Sequence, residues 1–158
     1  MPATPALPAA ARVVNAVDAV DASYLQTLLG YNARRVSLRS VELFTQRMDL
    51  FSITPVDFSV LSLIRHNPGI TSRQLCSTLS LLPPNLVGKI SMMEKRELLQ
   101  RKPHPDDGRA IGLYLLEAGH RMMEDAEREA AALEAEVSSK LTAAESKTLL
   151  RLLQKIYL

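Results

Sequence analysis

The sequence predicts a mainly α-helical protein that carries one small β-hairpin. Aromatic residues make up only 4% of the 158 residues and tryptophan is absent, whereas leucine and alanine are abundant, as is typical of helical chains. At three places a threonine precedes, by three residues, a side chain that can complete a capping box, the hydrogen-bond pattern that starts a helix. Near residue 105 a Pro-Asp-Asp-Gly turn joins two short runs that are typical of strands.

Local signals delimit the elements in chain order. Thr54, Thr71 and Thr142 cap the second, third and last helices, the Pro83-Pro84 pair fits the first turn of the fourth, and Asn67-Pro68-Gly69 ends the second. The first helix would be about 45 Å long at 1.5 Å per residue. We therefore expect helices at 19–48, 54–66, 72–79, 83–96, 117–141 and 143–157, and strands at 98–103 and 110–115.

Composition limits the class of protein. A chain of 158 residues is long enough for one domain, or two closely associated ones, with a core of its own. Cys76 is the single cysteine, so an internal disulfide is impossible, and we expect a cytoplasmic protein. No apolar run reaches transmembrane length. Residues 1–18 are rich in alanine and proline, which predicts a flexible tail rather than a signal peptide.

The charges are unevenly distributed although their sum is small. The net charge is +2, from 19 basic and 17 acidic residues. Residues 89–109 hold six basic and four acidic side chains, whereas residues 117–136 hold seven acidic and two basic ones. This pattern favours a protein that presents its middle segment to phosphate groups and keeps its last helices away from them.

The fourth helix and the hairpin together predict a duplex-DNA reader. Leu86, Ile90 and Met93 recur at helical spacing and form the inward stripe. This leaves four residues turned partly or wholly outward: Asn85, Gly88, Lys89 and Met92. Asparagine can pair with adenine, and lysine with guanine or a phosphate. If the helix entered the major groove and the basic hairpin reached the adjacent minor groove, the protein would contact both grooves of the duplex. An ordinary solvated helix face is the alternative. The predicted DNA-contacting residues are Ser72, Arg73, Pro84, Asn85, Gly88, Lys89, Arg101, Lys102 and Arg109, with Asp107 supporting the turn.

The segment 81–119 resembles the recognition helix and wing of the MarR family of winged helix-turn-helix transcriptional regulators. The P-x-D-x-R-A run, here Pro105, Asp107, Arg109 and Ala110, is the most specific part of the match. The resemblance implies a winged helix-turn-helix DNA-binding domain at residues 50–116 and a helical dimerisation region at 19–49 and 117–158. Glu97 stands where the family usually has glycine, which leaves the construction of that turn open.

A second departure lies at Leu116, which stands where the family usually has the threonine that caps the following helix. The length of the first helix and the apolar residues of the last two predict a homodimer that binds a pseudo-palindromic operator. The alternative is a long helix that lies across the DNA-binding core of its own chain. The apolar residues concerned are Leu141, Leu149, Leu152, Leu153 and Ile156.

The resemblance also implies an effector pocket between the first, second and fifth helices, which in many members binds a small aromatic or phenolic anion. An arginine can hold a carboxylate and an aromatic ring can stack on a planar ligand. Core packing and surface ion pairs are the alternative roles for these side chains. The candidate effector-binding residues are Tyr31, Arg34, Arg35, Arg39, Phe58 and His66.

The expected function is a sequence-specific repressor that is released by a small aromatic acid. One alternative is a winged-helix module that binds protein, and another is a redox-responsive regulator acting through Cys76, a residue we expect to face the core. The three histidines lack the spacing of metal ligands. No nucleophile–base arrangement or phosphate loop is present, so we expect no enzymatic activity, cofactor or metal.

Overall fold

The computed structural model describes residues 20–104 and 109–158. The chain separates into two compact units, residues 1–36 and 37–158, with the boundary inside one helix. The predicted tail at 1–18 and the predicted supporting residue Asp107 lie outside the described residues. The division predicted from the sequence, with residues 50–116 as a separate DNA-binding domain, stays a prediction.

The predicted single helix over residues 19–48 is wrong, because two helices occupy this segment. Helix α1 spans Ser23–Gln26 and α2 spans Leu29–Met48. Between them Thr27 Oγ1 donates to the carbonyl of Tyr24 at 2.7 Å, and Asn32 Nδ2 donates to the carbonyl of Leu28 at 2.8 Å. Side chains that bond nearby carbonyls in this way compete with continuous helix. Helix α2 is therefore about 30 Å long, and the length of the first helix no longer argues for a dimer.

The capping boxes start helices where the sequence predicts them. Helices α3 (Pro55–His66), α4 (Ser72–Leu79) and α7 (Ala143–Tyr157) each begin after a threonine whose side chain accepts from the third helical amide. Helix α5 spans Pro83–Lys95 and α6 spans Glu117–Val137. A 3-10 turn over Asp49–Phe51 joins α2 to α3.

The hairpin is attached to the start of α4. Strands β1 (Leu99–Pro103) and β2 (Ile111–Leu115) pair antiparallel, with Leu99 opposite Leu115 and Pro103 opposite Ile111. The amide of Gly69 donates to Leu113 and the amide of Leu113 donates to Ile70. These bonds hold the middle of β2 beside the α3–α4 connection, so the hairpin lies next to the start of α4.

The core of the second unit lies between α3, α5, the hairpin and α6. Its largest fully buried side chains include Leu61, Ile64, Leu75, Ile90, Met93 and Met123. The predicted inward stripe of α5, Leu86, Ile90 and Met93, is confirmed as buried. Helix α7 contributes no buried residue at all.

The two positions that depart from the family pattern have distinct local geometry. Glu97 adopts a left-handed backbone with φ of 55°, the conformation that glycine favours, so the turn after α5 strains this residue. Leu116 occupies the N-cap of α6 and makes no side-chain capping bond. Glycine at position 97 would avoid the backbone strain, and threonine at position 116 would supply the missing capping bond, so both present residues lower the stability of the fold locally.

Candidate nucleic-acid interface

The outward stripe of α5 carries one charged side chain. Pro84, Gly88, Ser91 and Lys95 recur at i, i+4, i+7 and i+11 and lie opposite the buried stripe, given 3.6 residues per turn. Pro84, Gly88 and Lys95 are exposed, and Val87, which lies at the edge of the stripe, retains 56% of its accessible surface. Lys95 and Val87 are absent from the residues predicted to contact DNA.

Asn85 and Met92 are exposed along one margin of this stripe, as predicted. Lys89 also belongs to that margin, and its side chain retains 28% of its accessible surface. Its Nζ lies 2.8 Å from Oδ1 of Asp57, a residue with only 2% exposure. Lys89 is therefore turned only partly outward, because a buried carboxylate on α3 needs a cation beside it, and its contact with DNA stays a prediction.

Asp57 has an electrostatic as well as a capping role. Burial raises the pKa of Asp57, but hydrogen bonds from the side chains of Lys89 and Thr54 and from the Thr54 amide outweigh this effect. The pKa of Asp57 therefore lies below its ordinary value. The carboxylate stays ionised while it caps α3 and holds Lys89.

Arg96 holds the other end of α5. It donates through Nη1 to the carbonyl of Ser52 at 2.9 Å and through Nη2 to the carbonyl of Phe51 at 2.7 Å. Lys89 and Arg96 lie about two helical turns apart. We call residues 51–57 the α5 anchor, because this segment fixes α5 at two points and so sets the direction of its outward stripe.

The hairpin supplies the basic side chains. Arg101 and Lys102 on β1 and Arg109 before β2 are all exposed. Arg101 Nε lies 2.9 Å from Glu94 Oε1 on α5, and Lys102 Nζ lies 5.7 Å from the centre of the Tyr114 ring. A surface ion pair such as Arg101–Glu94 contributes little to the stability of the fold. Arg101 could therefore leave Glu94 for a DNA phosphate at little cost in free energy.

The start of α4 shares an open groove with the hairpin. Ser72 and Arg73 are exposed in the first turn of α4. They line a groove of about 640 Å³ together with His104, Ala110 and Ile111. The structure therefore brings together α4, α5 and the hairpin, the three elements on which the predicted DNA contacts lie.

The candidate effector residues divide between the two units. In the first unit Tyr31 is half-buried, and Arg34 and Arg35 are exposed. In the second unit Arg39 pairs with Glu42 at 2.9 Å, while the ring of Phe58 packs edge-on against a neighbouring phenylalanine with centroids 5.6 Å apart.

His66 on α3 is turned toward α6. Its Nε2 lies 3.0 Å from Oε1 of Glu127, which also accepts from Ser62. Arg39, Phe58 and His66 thus have three different partners, and their part in ligand binding stays a prediction.

Other candidate sites are weaker. Cys76 is partly buried and packs against the core, which agrees with the expected inward position. Within residues 20–104 and 109–158, no group of three or more histidine, cysteine, aspartate or glutamate side chains could hold a metal. None of the described helices is long and apolar enough to cross a membrane.

Helix α7 exposes a row of large apolar side chains. Leu149, Leu152 and Ile156 retain 43%, 46% and 64% of their accessible surface. Their spacing of three and four residues places them on one face of the helix. A contiguous apolar face of this kind marks a protein–protein contact.

Comparison with known proteins places this geometry among transcriptional regulators. The sequence pattern of the MarR family matches residues 53–111. A putative transcriptional regulatory protein for the hcr operon of Thauera aromatica is 25% identical over 130 residues, which cover 82% of this chain and 78% of that protein.

Solved structures agree with the sequence match. The transcriptional repressor CouR, bound to a 23-mer DNA duplex, is 32% identical with a TM-score of 0.81, covering 87% of this chain and 98% of that one. CouR bound to p-coumaroyl-CoA is 30% identical with a TM-score of 0.75, covering 87% and 97%. A C80S variant of MarR from E. coli, complexed with operator DNA, is 26% identical with a TM-score of 0.75, covering 86% and 99%.

Proposed function

This chain belongs to the MarR family of transcriptional regulators, and we propose that it is a dimeric repressor that binds operator DNA through α5 and the hairpin. The observation that carries the proposal is the surface formed by these two elements. Helix α5 presents a narrow stripe of small side chains, Pro84, Gly88 and Ser91, that fits a major groove, and the basic residues Arg101, Lys102 and Arg109 lie on the adjoining hairpin. CouR and MarR, which share this fold, are both seen bound to DNA.

Two copies are needed for such a site. A two-fold operator is read by two recognition helices about one DNA turn apart, and one chain carries a single α5. The apolar face of α7 supports a helical dimer contact, because Leu149, Leu152 and Ile156 are exposed in the single chain. Analytical ultracentrifugation at micromolar concentration should give a dimer. A folded chain that stays monomeric would contradict this part of the proposal.

Two exposed arginines and a similar solved structure support the proposed effector class. Arg34 and Arg35 are exposed and, among the described residues, form no ion pair, so both can hold an anion. CouR, at 30% identity, is seen with p-coumaroyl-CoA. We propose an aromatic acyl effector whose charge meets these arginines, either as the free acid or as its CoA thioester.

The experiment is a binding titration on DNA taken from upstream of the chain's own reading frame. Fluorescence anisotropy at fixed salt should show tight binding to this duplex and weak binding to a scrambled one. Adding p-coumaroyl-CoA or p-coumaric acid in separate arms distinguishes the two effector forms. Release by either supports the effector class. Binding that is equal on both duplexes would contradict a sequence-specific regulator.

The two other functions make different predictions. A winged-helix module that binds protein would show no preference for the upstream duplex. A redox regulator would lose operator binding on peroxide treatment, and Cys76→Ser would abolish that response. The half-buried position of Cys76 against the core favours a structural role.

A further inference from the structure

We infer that Lys95, in the last turn of α5, binds a backbone phosphate at the edge of the major groove and so fixes how α5 lies in that groove. Contacts to phosphates set the orientation of a protein on the duplex, whereas contacts to base edges set its sequence preference. The inference rests on the proposed DNA-binding function and deepens it by assigning a phosphate contact to a residue of α5 itself.

Lys95 lies on the same side of the helix as the small residues of the outward stripe. At 3.6 residues per turn it falls between Pro84 and Gly88 when α5 is viewed along its axis, within about 20° of each. The buried residues of α5 lie on the opposite side. Because Lys95 is exposed, its charge is presented on the face that we place against DNA.

The position of Lys95 along the helix favours a phosphate over a base. Residues near the start of a recognition helix contact base edges, and Lys95 follows Gly88 by about two helical turns, roughly 10.5 Å. The major groove is about 12 Å wide. A helix whose first half lies over the groove floor therefore carries Lys95 to the line of phosphates at the groove edge. The flexible stem and point charge of lysine suit such a contact.

The other basic residues of α5 already have partners. Lys89 is paired with the buried Asp57, and Arg96 donates to two backbone carbonyls of the α5 anchor. Lys95 forms no ion pair or side-chain hydrogen bond with any residue of 20–104 or 109–158. Binding a phosphate therefore breaks no contact within this part of the chain. A cation on any side of the last turn would interact favourably with the end of the helix, so that interaction does not account for the direction of Lys95.

The test measures how salt changes DNA binding by the full chain. Selection from a random duplex pool gives the preferred site, and fluorescence anisotropy then measures binding to that duplex and to a scrambled one at several salt concentrations. Each phosphate contact adds about 0.9 to the slope of log affinity against log salt concentration. Replacing Lys95 by alanine in both subunits of the proposed dimer should therefore lower that slope by about 1.8.

The same change in slope sets the loss of affinity. Lys95→Ala should weaken binding, and the factor lost should be roughly seven-fold greater at about 0.1 M salt than at about 0.3 M. Both duplexes should lose affinity alike, because a phosphate contact carries no sequence information. Alanine favours a helix, so the variant should stay folded.

Lys147→Ala is the matched control, because it removes the same charge from an exposed lysine on α7. At 3.6 residues per turn, Lys147 lies on the side of α7 opposite the apolar row of Leu149, Leu152 and Ile156. This variant should keep the wild-type slope. Lys95→Arg should also keep it, because the cation is retained.

The outcomes separate this inference from the proposed function. If the selection enriched no duplex, or the wild type bound both duplexes equally, the proposed function itself would fail. If the wild type preferred the selected duplex but Lys95→Ala matched Lys147→Ala in slope and affinity, this inference alone would be overturned. A loss confined to the selected duplex at an unchanged slope would mean that Lys95 reads a base, and would also overturn it.

Discussion

Gly88→Ala is expected to stabilise the protein and to weaken its binding to DNA. Gly88 is the sixth of thirteen residues in α5, and an added Cβ meets nothing within 4 Å. The full difference in helix propensity should therefore appear, and the free energy of unfolding should rise by about 0.8–1.0 kcal/mol. For a chain of this length the thermal midpoint should rise by roughly 2–4 °C.

The same methyl group points out of the stripe that we place in the major groove. There it would lie between the helix backbone and the base edges, and a methyl forced into a packed contact costs about 1–3 kcal/mol. Operator affinity should fall by roughly 5- to 150-fold. Urea unfolding and fluorescence anisotropy at fixed salt, on the same preparation, measure the two effects.

Glu97→Gly is the matched control for a stabilised protein. It relieves the left-handed backbone at φ 55°, which should raise the free energy of unfolding by roughly 1–2 kcal/mol. Because glycine has more conformational freedom in the unfolded chain, the net gain should be about 0.5–1 kcal/mol. It adds no atom to the outward stripe, so DNA affinity should not fall. If Gly88→Ala raised stability and left DNA affinity unchanged, our orientation of α5 against the groove would be refuted.

Three further predictions concern the hairpin, the α5 anchor and α6. Arg109→Ala should weaken operator binding by about 1–3 kcal/mol while the protein stays folded, and an unchanged dissociation constant would exclude a groove contact. Lys89→Met should lower the free energy of unfolding by about 1–3 kcal/mol at pH 7, because it leaves the buried Asp57 carboxylate unpaired. The pKa of folded Asp57 lies below its unfolded value. The wild-type pair therefore stabilises the chain at pH values above the usual aspartate range, and this stabilisation is lost as pH falls through the folded pKa. If the difference in unfolding free energy between wild type and Lys89→Met did not shrink in acid, this role of the pair would be contradicted. Leu116→Thr should supply a capping bond at α6 and raise the free energy of unfolding by about 0.5–1 kcal/mol. If urea unfolding instead showed a free energy lower by about the same amount, the half-buried leucine would contribute more to stability than a cap does.

Elements with local signals could be predicted from the sequence. The threonines of the capping boxes act on amides three residues away, so helices α3, α4 and α7 begin where those residues indicate. The hairpin follows from its turn residues in the same way. The break between α1 and α2 was not predicted, because the side-chain bonds of Thr27 and Asn32 compete with a helix pattern that otherwise continues.

The helices and strands on which the candidate DNA contacts lie could be predicted, but the side-chain contacts within them could not. The orientation of Lys89 depends on Asp57, which lies 32 residues earlier in the chain. The contacts of Arg96 with two backbone carbonyls of the α5 anchor likewise depend on tertiary packing. Neither pairing leaves a pattern in the local sequence.

The position of the α5 anchor connects the site to the rest of the fold. Residues 51–57 follow α2 directly and hold α5 through Lys89 and Arg96. A shift of this segment would therefore change the direction of α5. An effector that binds better to a shifted state would release DNA in proportion to that preference, and about 1–3 kcal/mol of coupling corresponds to roughly 5- to 150-fold release.

Hydroxyl-radical footprinting on the DNA upstream of the chain's own reading frame tests the central claim most directly. The account predicts two symmetric half-sites whose centres lie about one helical turn, roughly 34–36 Å, apart. Protection of the minor groove that flanks each half-site should be present with the wild type and lost with Arg109→Ala. A footprint on one half-site only, or flanking protection that persists without Arg109, would contradict a dimer that reads DNA through α5 and the hairpin.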